Sequence, residues 1–229
     1  MIKKEHIDKL FIESGITEET IKEAGLSSCD LGISFPYYNL DGELIGHRHK
    51  LDNPEEGKKY IQAKGSTFNA FFIRSGIDKL KGDSPLIICE GEKKLLALQQ
   101  EKSLSSYGFV SYPGCWNFKN SSSDGLAGIW DDIPLKNREV FLLVDTDFFL
   151  NKKVFSAGTE FIKNLVSKQA QVKLIDLRIP GSLKIGPDDF LLESNVEELQ
   201  KRLSKPRWEF GQVNKSSLHK DLSDDEVTK

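Results

Sequence analysis

The chain has 229 residues, 38% of them hydrophobic, which is enough to fill one large or two small domain cores. Its 32 Lys and Arg against 35 Asp and Glu give a net charge of −3, which excludes a generally basic nucleic-acid-binding protein. If the chain binds nucleic acid, it must do so through a local basic patch or through bound metal ions. The three cysteines form no CxxC pair, which excludes a disulfide framework and the usual zinc spacing and favours a reducing cytoplasm. With no apolar run near about 18 residues and no signal peptide, we expect a soluble protein without membrane association.

Residues 1–82 are predicted to form a small α+β subdomain. Two short helices are expected within residues 3–26, with Thr17 at the start of the second. An Asn-Leu-Asp-Gly segment, 39–42, predicts a hairpin turn between the first two strands. The strands expected in this region are Ile33–Tyr38, Leu44–His49, Tyr60–Gln62 and Phe68–Ile73.

In residues 83–203, apolar strands alternate with segments of helical length. The expected strands are Pro85–Cys89, Gly108–Tyr112, Val140–Val144 and Val172–Leu177, and the expected helices are Lys93–Gln100, Val154–Val166 and Val196–Leu203. This alternation predicts an α/β fold in which helices cover both faces of a parallel sheet. Residues 204–229 are polar, and we expect them to be a disordered tail or linker.

Acidic residues follow the predicted strands at the points where those strands end. Glu90 follows the first α/β strand, Asp145 and Asp147 follow the third, and Asp188 and Asp189 lie in a later loop. Ligands of open parallel sheets bind beyond the carboxyl ends of the strands. Clustered carboxylates repel one another unless they share a hard divalent cation, so Mg²⁺ or Mn²⁺ is the expected cofactor and phosphoryl transfer the expected chemistry.

Three further interpretations concern individual residues. Asp188 and Asp189 could equally cap a short helix that begins at Phe190, where carboxylates are favoured. Lys93 lies at the start of a predicted helix, a position that favours binding of a phosphate group. Trp116 could stack on a base or could anchor its loop in the core.

The chain resembles a known family in two successive parts. Residues 83–203, with Glu-Gly-Glu after the first strand, LLVDTD at the third and the loop KIGPDDFL, resemble the Toprim domain of bacterial primases, topoisomerases and some nucleases. The earlier segments FPYYNLDGELIGHRHK and KKYIQAKGS resemble the small subdomain that precedes Toprim in bacterial-type primases. The combination is similar to the primase domains of phage, plasmid and island replication proteins.

The resemblance implies a Rossmann-like Toprim sheet and a role for each matching residue. Glu90 would be a metal ligand or a general acid or base, and Asp145 and Asp147 would be metal ligands. A carboxylate from Asp188 or Asp189 would complete the site. In the preceding subdomain, Arg48 and Lys59 would face the nucleotide or the template.

The implied activity is a Mg²⁺-dependent nucleotidyltransferase that makes short primers on single-stranded DNA from nucleoside triphosphates, in the replication of a mobile element such as a phage or plasmid. The sequence contains no GxxxxGK[ST] helicase motif and no zinc-binding cysteine set, so a helicase or another replication protein is an expected partner. Two alternatives remain open. The chain could be a Toprim nuclease that cleaves phosphodiesters, or a non-catalytic module that binds nucleic acid within a replication complex.

Overall fold

The structure is a computed structural model that describes residues 1–55, 57–66, 68, 70–119, 126, 128–182 and 184–211. Its helices are α1 (Lys4–Ser14), α2 (Glu18–Glu23), α3 (Ile77–Lys81), α4 (Glu92–Gln99), α5 (Ile129–Asp132), α6 (Lys152–Ser167), α7 (Pro187–Glu193) and α8 (Val196–Ser204). Its strands are β1 (Ser27–Cys29), β2 (Gly32–Tyr38), β3 (Leu44–Glu55), β4 (Lys58–Gln62), β5 (Leu86–Glu90), β6 (Gly108–Tyr112), β7 (Glu139–Leu143), β8 (Gln171–Ile175) and β9 (Trp208–Phe210). In this part of the chain, no helix is long and apolar enough to cross a membrane.

The first sheet is antiparallel and has the strand order β1-β2-β3-β4. The predicted hairpin between β2 and β3 is confirmed, with Phe35 opposite Arg48 in the register. Thr17 accepts a hydrogen bond from the Thr20 backbone N–H and so caps α2 as expected. The predicted strand over 68–73 is wrong for its described residues, because only Phe71 pairs there, in an isolated bridge with Ser111.

The second sheet has the order β6-β5-β7-β8-β9, and its first four strands are parallel. Strand β5 is central, with β6 on one side and β7 on the other, so the direction of chain winding reverses beside β5. In open α/β sheets this reversal opens a crevice at the carboxyl ends of the strands. The fold therefore places the ends of β5 and β7 where a ligand site is expected.

Helices cover both faces of this sheet, which confirms the predicted α/β architecture. Alternate residues of β5 enter different cores: Ile87 and Cys89 pack with α1, α4, α7 and α8, whereas Leu86 and Ile88 pack with α3 and α6. The first of these cores also takes in Phe35 of the antiparallel sheet. The two predicted subdomains thus share a continuous core, and the boundary expected after residue 82 stays a prediction.

The carboxyl-terminal segment departs from its sequence-based interpretation. Strand β9 lies within the predicted tail 204–229, yet it pairs antiparallel with β8, and Phe210 is buried in the second core. The prediction of disorder is therefore wrong for β9, because Trp208 and Phe210 supply apolar surface that the sheet edge can bury. The rest of the predicted tail, 212–229, lies outside the described residues.

Candidate active site at the carboxyl edge of the parallel sheet

Glu90 is the last residue of β5 and enters the crevice directly from the sheet. The backbone turns sharply at Gly91, whose φ of +89° lies in a region that other residues rarely adopt, and α4 begins at the next residue. The Gly91 N–H is held by the Tyr112 carbonyl at 2.9 Å, which ties this turn to the end of β6. The turn thereby fixes Glu90 at the mouth of the crevice, as expected from the Glu-Gly-Glu motif.

A groove of about 710 Å³ lies at this edge, between the antiparallel sheet and the ends of β5 and β7. It is lined by four of the five predicted acidic residues and by a surrounding set of cations. The acids are Glu90, Asp145, Asp188 and Asp189, and the cations are Lys9, Arg48, Lys50, Lys59, Lys93, Lys94 and Lys184. The groove therefore combines an acidic floor with a basic rim, and Lys9, Arg48, Lys50 and Lys93 of that rim are paired with three further lining acids, Asp52, Glu92 and Glu13. Such a mixed charge pattern suits metal ions and phosphate groups.

Asp145 lies just beyond the end of β7, and its carboxylate is held by Lys94 from α4. The Lys94 ammonium donates to both carboxylate oxygens of Asp145, at 2.5 and 2.6 Å. Burial alone would lower the pKa of Lys94, but the neighbouring carboxylates of Asp145, Glu90 and Asp188 raise it above its ordinary value. Lys94 is thus a permanent cation at the centre of the acidic cluster.

Asp147 is paired in the same way with a different lysine. Lys184 donates to Asp147 at 2.6 Å and lies 3.7 Å from Asp145. Asp147 does not line the groove itself, although its charge acts on Glu90. Burial raises the pKa of Glu90, Lys94 opposes the shift, and the charges of Asp145 and Asp147 add to it. Burial also raises the pKa of Asp145, against the opposing effect of Lys94, so Glu90 and Asp145 are both carboxyl groups with raised pKa, and Glu90 is the one without an ammonium group of the described residues bound to it.

The two consecutive aspartates of the later loop have different surroundings. Asp188 is 4% exposed and accepts a hydrogen bond from the Ser14 hydroxyl at 2.7 Å, while its Oδ1 has no partner among the described residues. Asp189 instead accepts from the Gly186 N–H at 2.9 Å and so caps the start of α7. The capping interpretation fits Asp189, and the geometry favours Asp188 as the member of the pair that serves the groove.

Gly186 marks the place where these carboxylates come together. A Cβ atom at Gly186 would lie 3.0 Å from Oδ1 of Asp188, 3.1 Å from Oδ1 of Asp145 and 2.7 Å from Cε of Lys94. A side chain here would clash with Lys94 and crowd both carboxylates, so glycine lets these groups approach one another, and Oδ1 of Asp188 is buried without a hydrogen-bond partner among the described residues. Oxygen donors of this kind suit Mg²⁺ or Mn²⁺.

The predicted metal site is nevertheless not preassembled. Within the ranges that the structure describes, no three His, Cys, Asp or Glu side chains are grouped closely enough to enclose a metal ion. Lys94 also occupies both oxygens of Asp145. The donor set fits a divalent cation once this ammonium group moves aside.

The three residues predicted to contact nucleotide or template, Arg48, Lys59 and Lys93, differ in whether they already bind other groups of the protein. Arg48 donates to the buried Glu92 at 2.7 Å and stacks on Tyr60. Lys93 donates to Glu13 at 3.0 Å and to Ser14 at 2.9 Å, both in α1.

Lys59 is the exposed member of the three and lies in β4, on the rim of the groove. Contact of Arg48, Lys59 and Lys93 with nucleotide or template stays a prediction.

Sequence patterns gave no sign of the pairing partners Lys94, Lys184 and Ser14. Pairing of Lys94 with an acid could have been inferred from its place on the first turn of a helix that starts beside the acidic strand end. Ser14 could not, because it binds Asp188, which is 174 residues away in the sequence. For Trp116 the sequence allowed two roles, stacking on a base or packing in the core. The residue is 44% exposed, and its ring centroid lies 6.2 Å from that of Phe118. Its exposure disfavours core packing.

Comparison with sequence families gives one decisive match. Residues 79–198, more than half of the chain, match the family described as "Domain of unknown function (DUF3854)". The chain belongs to the DUF3854 family. No curated protein matches this DUF3854 member by sequence.

Solved structures similar to this DUF3854 member are bacterial and phage primases. The zinc-binding and RNA polymerase domains of Aquifex aeolicus primase align with 91% of this chain and 50% of their own, at 21% identity and a TM-score of 0.56. A DnaG primase catalytic domain bound to single-stranded DNA aligns with 88% and 71%, at 12% identity and a TM-score of 0.59. The primase domain of bacteriophage T7, from a complex of lagging-strand DNA polymerase with an RNA/DNA hybrid and dTTP, aligns with 86% and 97%, at 16% identity and a TM-score of 0.55.

These likenesses confirm the fold of a Toprim primase-like core. The chain spans half the length of the Aquifex fragment. At these identities the likeness extends to the fold alone, so the activity has to be argued from the site.

Proposed function

We propose that this DUF3854 member is a primase-like nucleotidyltransferase that joins nucleotides on a single-stranded DNA template in the presence of Mg²⁺ or Mn²⁺. The observation that carries the proposal is the groove, in which Glu90, Asp145 and Asp188 lie opposite a basic rim from the antiparallel sheet. A polyanionic template and a triphosphate fit the rim, and a metal ion fits the acidic floor. The primase fold supports this assignment by analogy.

In the proposed reaction, Asp145 and Asp188 would hold the divalent ion, and Asp147 and Glu90 would add negative charge around it. When bound, such an ion neutralises charge on the transferred phosphoryl group and orients the attacking hydroxyl. Glu90, whose pKa is raised, would accept the proton that the attacking hydroxyl releases. Lys94 and Lys184 would contact phosphate oxygens, since both ammonium groups face the groove.

The proposal includes a biological setting. Primer synthesis in the replication of a phage, plasmid or other mobile element, beside a helicase or another replication protein, suits a catalytic core of this kind. Cys29, Cys89 and Cys115 form no disulfide, which suits a reducing cytoplasm.

The proposal is tested by incubating the protein with single-stranded DNA, labelled nucleoside triphosphates and Mg²⁺ or Mn²⁺, and resolving products on a denaturing gel. Asp145→Asn and Glu90→Gln remove one negative charge each while keeping the size of the side chain. The matched controls are Asp132→Asn and Glu19→Gln, which change exposed carboxylates outside the groove. We expect products of a few nucleotides from wild type and both controls, and a loss of at least about a hundredfold in both site variants.

Two outcomes would contradict the proposal. Shortened DNA without added nucleotides would identify the chain as a nuclease that uses the same acids. Binding of DNA that persists with the metal chelated, without new products, would identify a non-catalytic module.

A further inference from the structure

Two of the acids at this edge of the sheet, Asp145 in the groove and Asp147 beside it, are paired with lysines before any ligand arrives. Asp145 gives both oxygens to Lys94, and Asp147 gives one to Lys184. An incoming divalent ion therefore meets an Asp145 carboxylate that is already neutralised. It would also be repelled by an ammonium group in contact with its own ligands.

The two lysines differ in their freedom to leave. The Lys94 side chain is 20% exposed and that of Lys184 is 59% exposed, and both line the groove rather than the protein core. Lysine side chains are long and flexible, with three donors that suit phosphate oxygens as well as carboxylates. Either ammonium group can therefore exchange a carboxylate for a phosphate without unfolding its surroundings.

We propose that Lys94, assisted by Lys184, makes metal binding depend on the nucleotide: the metal-free site binds a divalent ion weakly, and a triphosphate draws the ammonium groups onto its own oxygens and frees Asp145 for the metal. This inference rests on the proposed function, because it takes a nucleoside triphosphate as the ligand. It assigns the two lysines a role in the order of binding. Such coupling is reciprocal, so the metal strengthens nucleotide binding by the same factor.

The distinguishing feature is that one substitution changes two affinities in opposite directions. Lys94→Met removes the charge and keeps much of the length of the side chain. Without the ammonium group, Asp145 is free for a metal ion, whereas a triphosphate loses a cationic contact. A substitution that merely disturbed the structure of the groove would weaken both ligands.

The test measures two ligands separately on the whole chain at pH 8. Mn²⁺ binding is followed by isothermal titration calorimetry without nucleotide, and binding of a fluorescent, non-hydrolysable nucleoside triphosphate analogue is followed by anisotropy in the presence of EDTA. For Lys94→Met we expect Mn²⁺ affinity to rise about tenfold and analogue affinity to fall about tenfold, as for the loss of one close charge contact. Lys163→Met, which removes an exposed lysine of α6, should change neither affinity.

Lys184→Met provides a second variant whose exposed position leaves the fold intact, and circular dichroism verifies folding of each protein. It should change both affinities severalfold in the same directions as Lys94→Met. The inference would be overturned if a folded Lys94→Met protein bound Mn²⁺ no more tightly than wild type. If Lys94→Met does not fold, the same result for Lys184→Met would overturn it. If wild type makes primers but the variants do not show these binding changes, the inference fails and the proposed function stands. If the variants show the binding changes but wild type makes no primers, the proposed function fails and the inference stands.

Discussion

Two ion pairs start from neighbouring positions of α4 and have different surroundings. Glu92 is buried at 1% exposure and is held by Arg48 at 2.7 Å and by the Tyr37 hydroxyl at 2.6 Å. Lys94, two residues later, pairs with Asp145 at the edge of the open groove. The first pair joins α4 to the antiparallel sheet, and the second joins α4 to the end of β7.

The difference shows how one short helix can serve both the fold and the site. The Glu92 carboxylate is closed off from solvent, and its Oε2 has no hydrogen-bond partner among the described residues, so Arg48 cannot leave without exposing a buried charge to apolar surroundings. Both pairs border the groove and differ only in degree of exposure: the side chains of Arg48 and Glu92 are 14% and 1% exposed, whereas those of Lys94 and Asp145 are 20% and 9% exposed. A ligand can therefore replace Lys94 more readily than Arg48. We therefore expect the first pair to govern stability and the second to govern binding.

Breaking the buried pair should have the largest effect on stability. Arg48→Met would leave the buried Glu92 carboxyl group with only the Tyr37 hydroxyl as its partner, and removing one partner of a buried ion pair costs about 3–5 kcal/mol. Urea unfolding should show this loss as a lower midpoint. Adding Glu92→Gln to Arg48→Met should recover part of it, because the two residues interact directly.

The control is Lys59→Met on the neighbouring strand β4, which should stay within about 0.5 kcal/mol of wild type because Lys59 is exposed. An Arg48→Met protein as stable as this control would show that the buried pair does not hold the two sheets together. It would leave Arg48 available as the nucleotide contact that the family resemblance implies.

The sequence predicted the sheet better than it predicted these pairs. Strand β6 was predicted with its observed bounds, and β5 and β7 within one residue at each end, because continuous apolar runs between turn residues are a local signal. Short α3 and β9 were missed, since each has too few residues to show a period. Arg48 and Glu92 are 44 residues apart in the sequence, and they pair only because tertiary packing brings them together. Composition and spacing could therefore not predict this ion pair.

The convergence of the acids was partly predictable. Their placement after parallel strands required only that the strands be parallel, and Glu90 and Asp145 do meet in one groove. Asp188 and Asp189 could not be separated by sequence, because the choice depends on which carboxylate Ser14 contacts. The lysines that neutralise the site were missed for the same reason.

Removing the charge of Glu90 should stabilise the fold by a smaller amount. Its pKa is raised by burial and by the charges of Asp145 and Asp147, so its ionisation opposes folding. Below the ordinary carboxyl pKa, Glu90→Gln and wild type should be equally stable. As pH rises through the raised pKa, wild type should lose stability relative to the variant, on the order of 1 kcal/mol or about 2–4 °C in Tm.

Thermal unfolding at a series of pH values measures this difference, with Glu19→Gln as the control on an exposed helix. If wild type instead gained stability relative to Glu90→Gln as pH rises, ionisation of Glu90 would favour folding, which is the opposite of the environment described for it.

The smallest effect is expected on the rim of the groove. Lys59→Met should weaken binding of single-stranded DNA severalfold, to a similar degree for different sequences, and reduce the dependence of log affinity on log salt by about 1. Fluorescence anisotropy across salt concentrations measures both quantities, and Lys163→Met is the control. An unchanged salt dependence would place the DNA elsewhere on the surface.

The most direct test of the account is primer synthesis by wild type and Asp145→Asn on single-stranded DNA with Mg²⁺ and labelled nucleoside triphosphates. We expect short new products from wild type that disappear in Asp145→Asn while the protein stays folded. Undiminished synthesis by Asp145→Asn would contradict the assignment of the acidic groove as the catalytic site.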